Sequence, residues 1–256
     1  MTGKLFLVGS PIGNMMDINK RLIHAVETAT TICVEDEERF ADFCRQNNMR
    51  YTAEIIDISY SLNKDREIEN KELIINKLLS GEDVHIISDE GMPGVCDPGH
   101  HLLYLAVKNE IDVRVSPGPS TVIAAAITAN VGNSFSFESF PPHNEHGFED
   151  ILWQRLLERH NPMIFLLQNP LHLPSDNEDK INKVWPTNSV FYFINKAIDQ
   201  FGKDRNAVFC TNLTCPNEYI VRGTLEQIKD YIDNNPLKLN KMCIVVDGKD
   251  KKVAVA

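Results

Sequence analysis

The chain has 256 residues, enough for one large domain or two smaller ones. Apolar residues make up 43% and charged residues 24%, an ordinary globular composition, and the net charge of −10 with a pI near 5.3 does not suggest a surface coated in basic groups for nucleic acid, although it leaves room for a local basic groove. No apolar run approaches the ~20 residues of a membrane-spanning helix, so no membrane partner is expected.

The first half alternates between strand and helix patterns. Leu5–Val8 reads as a strand, followed by the loop Gly9-Ser10-Pro11-Ile12-Gly13-Asn14 and a helix over Leu22–Ala29. Thr31–Val34 is a second strand, ending in Glu35-Asp36, and Phe40–Gln46 is helical. Ala53–Ser59 is extended. Glu67–Leu79 reads as an amphipathic helix with Ile68, Ile75, Leu78 and Leu79 as its apolar positions, stopping near Gly81. The strand Val84–Ile87 runs into Ser88-Asp89-Glu90-Gly91-Met92-Pro93-Gly94-Val95-Cys96-Asp97-Pro98-Gly99, a loop with three glycines, two prolines and two aspartates. Leu102–Val107 is helical and Val113–Val115 is a strand. Ser116-Pro117-Gly118-Pro119-Ser120 then leads into the apolar helix Val122–Ala129, which Ser120 can cap. This β-α alternation predicts a mostly parallel sheet.

The second half changes character. Phe135–Phe140, Met163–Leu167, Val190–Ile194, Ala207–Thr211, Glu218–Val221 and Met242–Val246 all read as strands. Leu225–Ile232 is its clearest helix, opened by a capping box on Thr224 and Gln227. Pro141–Asp150 reads as an exposed loop and Asn169–Thr187 as an irregular connection. The expected fold is therefore α/β with two domains, residues 1–117 around a mostly parallel sheet and residues 118–256 around a mixed one.

The six cysteines show no C-x-x-C spacing and read as buried free thiols of a reducing cytoplasm, with no signal or transit peptide expected ahead of the first strand. His143 and His146 have H-x-x-H spacing but no third ligand beside them, so no metal site is expected.

Gly/Pro loops follow three of the first-half strands, at residues 9–14, 88–99 and 116–120. Parallel strands bring their carboxyl ends to one edge, so these loops converge on one ligand site. Residues 9–13 lack the G-x-G-x-x-G spacing of a dinucleotide fingerprint, and the chain has no G-K-[ST] of a nucleotide P-loop.

The order G-S-P-I-G-N, V-E-D, S-D-E-G-M-P-G-V-C-D-P-G and S-P-G-P-S, with a late R-G-T-L at Arg222–Leu225, resembles the tetrapyrrole methylase superfamily of class III S-adenosylmethionine-dependent methyltransferases. Within it the chain is most similar to the branch that 2′-O-methylates a cytidine of small-subunit ribosomal RNA. The resemblance spans nearly the whole chain. It implies two α/β domains with S-adenosylmethionine in the cleft between them, and a homodimer. By motif, the donor contacts are Pro11, Ser88, Asp89, Glu90, Gly91, Met92, Pro93, Ser120 and Thr121. Transfer of methyl from a sulfonium needs no metal, but a hydroxyl acceptor needs a base. Asp36 and Glu35, just beyond a strand's carboxyl end, are the candidates, with Asp89 third.

The chain departs from the branch where the acceptor is expected. The branch's E-D-T-R is Glu35-Asp36-Glu37-Glu38 here, with Arg39 one place late. Its Y-E-S-P-H-R is Leu167-Gln168-Asn169-Pro170-Leu171-His172, and its R-E-L-T-K is Thr211-Asn212-Leu213-Thr214-Cys215. Each loss removes a charge that could meet phosphate or orient a nucleotide. Three readings follow: an RNA ribose methyltransferase, a class III methyltransferase for a small molecule, tetrapyrrole or peptide, and a donor-binding homologue without catalysis.

Overall fold

The apolar runs of the first half assemble into one sheet. Lys4–Val8 (β1), Thr31–Val34 (β2), Glu54–Asp57 (β3), Val84–Ile87 (β4) and Asp112–Ser116 (β5) take the order β3-β2-β4-β1-β5, and every neighbouring pair is parallel. This is a computed structural model, and it describes residues 2–59, 64–97, 99–141, 149–168 and 189–253. The chain divides into two units, residues 1–120 and 121–256.

Successive residues of a strand face opposite sides of its sheet. Val8, Ile32 and Val34 therefore pack with Leu22 and Val26 of Lys20–Thr28 (α1) and with Phe40 and Cys44 of Glu37–Gln46 (α2). Leu5, Leu7 and Ile86 pack on the other side with Ile74 and Leu78 of Lys64–Leu79 (α3) and with Leu102 and Ala106 of Gly99–Lys108 (α4). Helices on both faces are what a parallel sheet requires. In α3 the buried stripe is Ile74 and Leu78, one i, i+4 step, whereas Ile68 and Leu79 are 55% and 46% exposed. The expected apolar set for that helix was thus half right: Ile68 and Leu79 lie off the stripe.

The second unit holds a mixed sheet. Ser136–Phe137 (β6), Met163–Leu167 (β7), Asn206–Thr211 (β8), Tyr219–Thr224 (β9) and Met242–Val246 (β10) take the order β6-β7-β10-β8-β9. The β6–β7 pair is parallel and the rest are antiparallel. All five residues of β10 are buried, as suits the central strand. The helices are Thr121–Thr128 (α5), Glu149–Leu157 (α6), Val190–Phe201 (α7) and Leu225–Asn234 (α8).

Two expectations fail here. Val190–Ile194, read as a strand, opens α7, whose N-cap Ser189 accepts a hydrogen bond from the Phe191 N–H. Its β-branched and aromatic residues suggest a strand, but Val190, Phe193, Ile194, Ala197 and Phe201 recur at helical spacing and are buried together. The loop expected over Pro141–Asp150 gives way to α6 at Glu149, while residues 142–148, with His143 and His146, and residues 169–188 lie outside the described set. The cysteine expectation holds for Cys33, Cys44, Cys210 and Cys243; Cys96 is exposed and Cys215 half-buried, because both sit in loops. Among the described residues no helix is long and apolar enough to cross a membrane.

The capping box is present: Thr224 Oγ1 accepts from the Gln227 N–H at 3.3 Å, and Gln227 Oε1 accepts from the Thr224 N–H at 2.8 Å. Thr224→Ala should cost about 1 kcal/mol. Urea denaturation would read this as a lower midpoint with an unchanged slope.

Candidate active site

Every strand of the first sheet points its carboxyl end to the same edge, so the loops after β1, β2, β4 and β5 emerge together. Backbone hydrogen bonds join three of them. The Ser10 N–H donates to the Gly91 carbonyl at 2.8 Å, and the Gly9 N–H donates to the Ser116 carbonyl at 3.0 Å. The Ser88 hydroxyl also donates to the Gly91 carbonyl, at 3.2 Å, and the Gly118 N–H donates to Met92 Sδ at 3.1 Å.

The contact between Gly9 and Gly118 is main chain on main chain. A Cβ added to Gly9 would lie 2.6 Å from Met92 Sδ and 2.7 Å from Gly118 Cα. One added to Gly118 would lie 2.8 Å from Gly9 Cα. Gly91 lies against Pro119, whose carbonyl oxygen is 3.5 Å from the position of an added Cβ, and its φ of +84° suits glycine.

The loop after β2 adds charge. Asp36 is the N-cap of α2, its Oδ1 accepting from the Arg39 N–H at 3.0 Å. Glu35 faces the neighbouring loop instead, and its Oε1 accepts from the Asp89 N–H at 3.3 Å. Arg39 reaches back to Asp89, Nη1 to Oδ2 at 3.2 Å, and lies 3.7 Å from Asp36. Because Arg39 is largely exposed, these pairs contribute little stability by themselves.

Burial pushes the Glu35 carboxyl up to about 7, helped by the negative charges of Asp97 and Asp89 and opposed by the Asp89 N–H. Burial also raises Asp89, against the pull of the Arg39 guanidinium. Asp97 is raised by burial too, while the Gly99 N–H favours its charged form. A carboxyl that titrates near neutrality at a strand's carboxyl edge is a candidate acid or base.

The site residues expected from sequence are thus distributed unevenly. Pro11, Ser88, Gly91 and Pro93 are buried in the joined loops, with Met92 and Asp89 half-buried beside them. Glu90 is exposed. Ser120 ends the first unit and Thr121 opens α5 in the second. Glu35 meets the loop, and Asp36 caps its own helix. Asp97, buried in the loop after β4, is a part of that motif which the sequence does not single out. Among the described residues no group of three His, Cys, Asp or Glu side chains could hold a metal.

Residues 4–229 match the family model of the Tetrapyrrole (Corrin/Porphyrin) Methylases. The chain belongs to this family. It is an S-adenosylmethionine-dependent methyltransferase by family and fold, with the donor-binding capacity that this implies. Among curated relatives, the Ribosomal RNA small subunit methyltransferase I of Xylella fastidiosa is 29% identical over 248 residues, covering 96% of this chain and 82% of the relative. That of Thermotoga maritima is 27% identical over 250 residues, covering 97% of this chain and all of the relative. Among solved structures, a uroporphyrin-III-C-methyltransferase from Thermus thermophilus superposes with a TM-score of 0.60 at 14% identity, covering 97% of this chain and 95% of that one. The methyltransferase CobJ superposes with a TM-score of 0.63 at 19% identity, with the same coverage. These structures establish the tetrapyrrole methylase fold for this chain.

Proposed function

We propose that this tetrapyrrole methylase family member methylates a hydroxyl of RNA, the ribose 2′-OH of a small-subunit ribosomal RNA nucleotide, with Glu35 as general base. The observation that carries the reading is the Glu35 carboxyl, half-buried at the edge of β2 and raised to about 7. A ribose hydroxyl is far too weak an acid to ionise at neutral pH, and a positioned base with a near-neutral pKa is what lowers that barrier. The names of the curated relatives, similar over nearly the whole chain, support RNA as the acceptor class.

The loops fit the donor. The loops after β1, β4 and β5 are held together by main-chain contact at Gly9 and Gly118 and by the Ser10 N–H bond to the Gly91 carbonyl, and the half-buried Asp89 in the same loop set offers a negative group of the kind a cationic sulfonium favours. Pro11, Ser88 to Pro93, Ser120 and Thr121 would hold S-adenosylmethionine, which supplies a methyl carbon on a positively charged sulfur. Glu35 takes the proton of the acceptor hydroxyl. Arg39 holds the Asp89 side chain, and the backbone bonds of Gly91 and Gly118 hold the loops in register, so the acceptor is met by a fixed site.

A second reading has one observation in its favour. Glu37, Glu38 and Glu90 are all exposed around Glu35 and Asp89, and they would repel phosphates. A small-molecule or peptide acceptor suits that surface better. Incubating the protein with labelled S-adenosylmethionine and fractionated lysate separates the two. Label in ribose of small-subunit ribosomal RNA supports the first; label confined to small molecules or protein overturns it. Donor binding with no transfer to any fraction would mean that catalysis has been lost.

A further inference from the structure

The second unit has a cavity of its own, about 560 Å³, at the end of its sheet where β8 passes to β9 and α8 runs out. Thr211 and Tyr219 stand opposite each other there, two residues along their strands from Phe209 and Val221, which pack in the core beside α8. Side chains two apart share a face of a sheet, so Thr211 and Tyr219 lie on the helix-covered face, where its apolar filling stops. The Tyr219 ring stacks on Tyr231 of α8, with centroids 5.2 Å apart and planes 12° apart, and Tyr231 is tilted against Phe209 behind it. Tyr219 is 54% exposed, so this aromatic column ends in a ring face open to solvent. The lining contains four asparagines, and its one charged residue is Lys238. Asn212 is only 4% exposed, and its N–H is held by the Asn240 and Lys241 carbonyls at 3.3 and 3.2 Å. Among the described residues no hydrogen bond engages the Asn212 or Asn217 side-chain amide, and Lys238 has no ion-pair partner. A buried amide that opens on a cavity calls for a polar partner inside it.

We propose that this cavity is a nucleotide site, in which an unpaired base stacks on Tyr219, its edge meets the Asn212 and Asn217 amides, and its phosphate pairs with Lys238. Each part of the lining suits one part of that ligand. An open aromatic face takes the face of any base. An amide offers a donor and an acceptor side by side, which matches the edge of adenine. A lysine takes the phosphate, and no acid on the lining opposes it in a chain whose net charge is −10. Thr211 and Asn212 also stand where the related branch carries charged residues, so the departure there leaves hydrogen-bonding groups in place of charges. The site stands apart from Glu35 and from methyl transfer. A free mononucleotide and a residue of a single-stranded RNA carry the same three groups.

The test is calorimetric titration of the full chain with adenosine 5′-monophosphate, ribose 5-phosphate and a short oligoadenylate, all with saturating S-adenosylmethionine so that adenosine does not enter the donor site. The mononucleotide should bind at least about tenfold more tightly than ribose 5-phosphate, which has no base to stack. Tyr219→Ala should weaken it by about 5- to 100-fold, the range for one base stack, whereas Tyr219→Phe should keep most of the affinity. Lys238→Ala should flatten the salt dependence by about 0.7 in the log–log slope, the share of one phosphate on a single strand. Thermal melting checks that each variant folds. An oligoadenylate bound about tenfold or more above the mononucleotide makes the ligand an RNA strand, and equal affinity makes it a free nucleotide; both uphold the site. No binding of either at millimolar concentration, equal affinity for ribose 5-phosphate, or unchanged affinity in a folded Tyr219→Ala overturns it. Absence of label in RNA in the lysate experiment would sink the proposed acceptor and leave this result standing.

Discussion

Glu35→Gln is expected to slow methyl transfer by about 100- to 10,000-fold, the usual contribution of a positioned base, while making the protein more stable at pH 8. The two effects have one source. The Glu35 carboxyl is raised from an ordinary 4.5 to about 7 because burial and two negative neighbours disfavour its charge. Between those values the folded state binds more protons than the unfolded one, so stability falls as pH rises from about 4.5 to about 7. Gln resembles the protonated form and does not ionise. The stability advantage of the variant should be near zero at pH 4 and fully developed at pH 8. Melting curves of both proteins at the two pH values check this, because the difference between them removes contributions from all other groups. An equal gap at both values would show that Glu35 ionises in the fold as freely as in water.

Gly118→Ala is expected to weaken donor binding about tenfold or more and to destabilise the protein by roughly 1–3 kcal/mol, the range for forcing extra atoms into a packed position. Its Cβ would lie 2.8 Å from Gly9 Cα and 3.0 Å from the Gly9 carbonyl oxygen. Those are backbone atoms, so no rotamer change relieves the clash; the loop after β5 must move away from the loop after β1. That movement breaks the Gly118 N–H bond to Met92 and shifts the loop expected to hold the donor. Calorimetric titration with S-adenosylmethionine, paired with a denaturation curve, measures both effects. Unchanged affinity would exclude these loops from the donor site.

Much of this edge is legible in the sequence, because strands buried on two faces read as apolar runs and the turns at their ends need Gly and Pro. Thr31–Val34, Val84–Ile87, Met163–Leu167 and Met242–Val246 have the bounds that the residues suggest. Strand order is not legible: β4 returns between β1 and β2, and nothing local to Val84–Ile87 says so. The helix at Val190 was hidden by composition, although its spacing carried the signal. Glu35 and Asp36 are adjacent acids, and only the position of α2 separates them, the second being drawn into the cap. The negative charges of Asp97 and Asp89 act on Glu35 from a loop far away in sequence, which no local pattern announces.

Arg39 has a consequence of its own. An α-helix turns about 100° per residue, so a side chain one position earlier on α2 points to a different quadrant. Glu38 stands there, exposed. An arginine at position 39 rather than 38 is therefore turned by that angle about the helix axis. From there its Nη1 meets Asp89 Oδ2 at 3.2 Å while 72% of the side chain stays open to solvent, so the guanidinium is shared between a neighbouring loop and the outside.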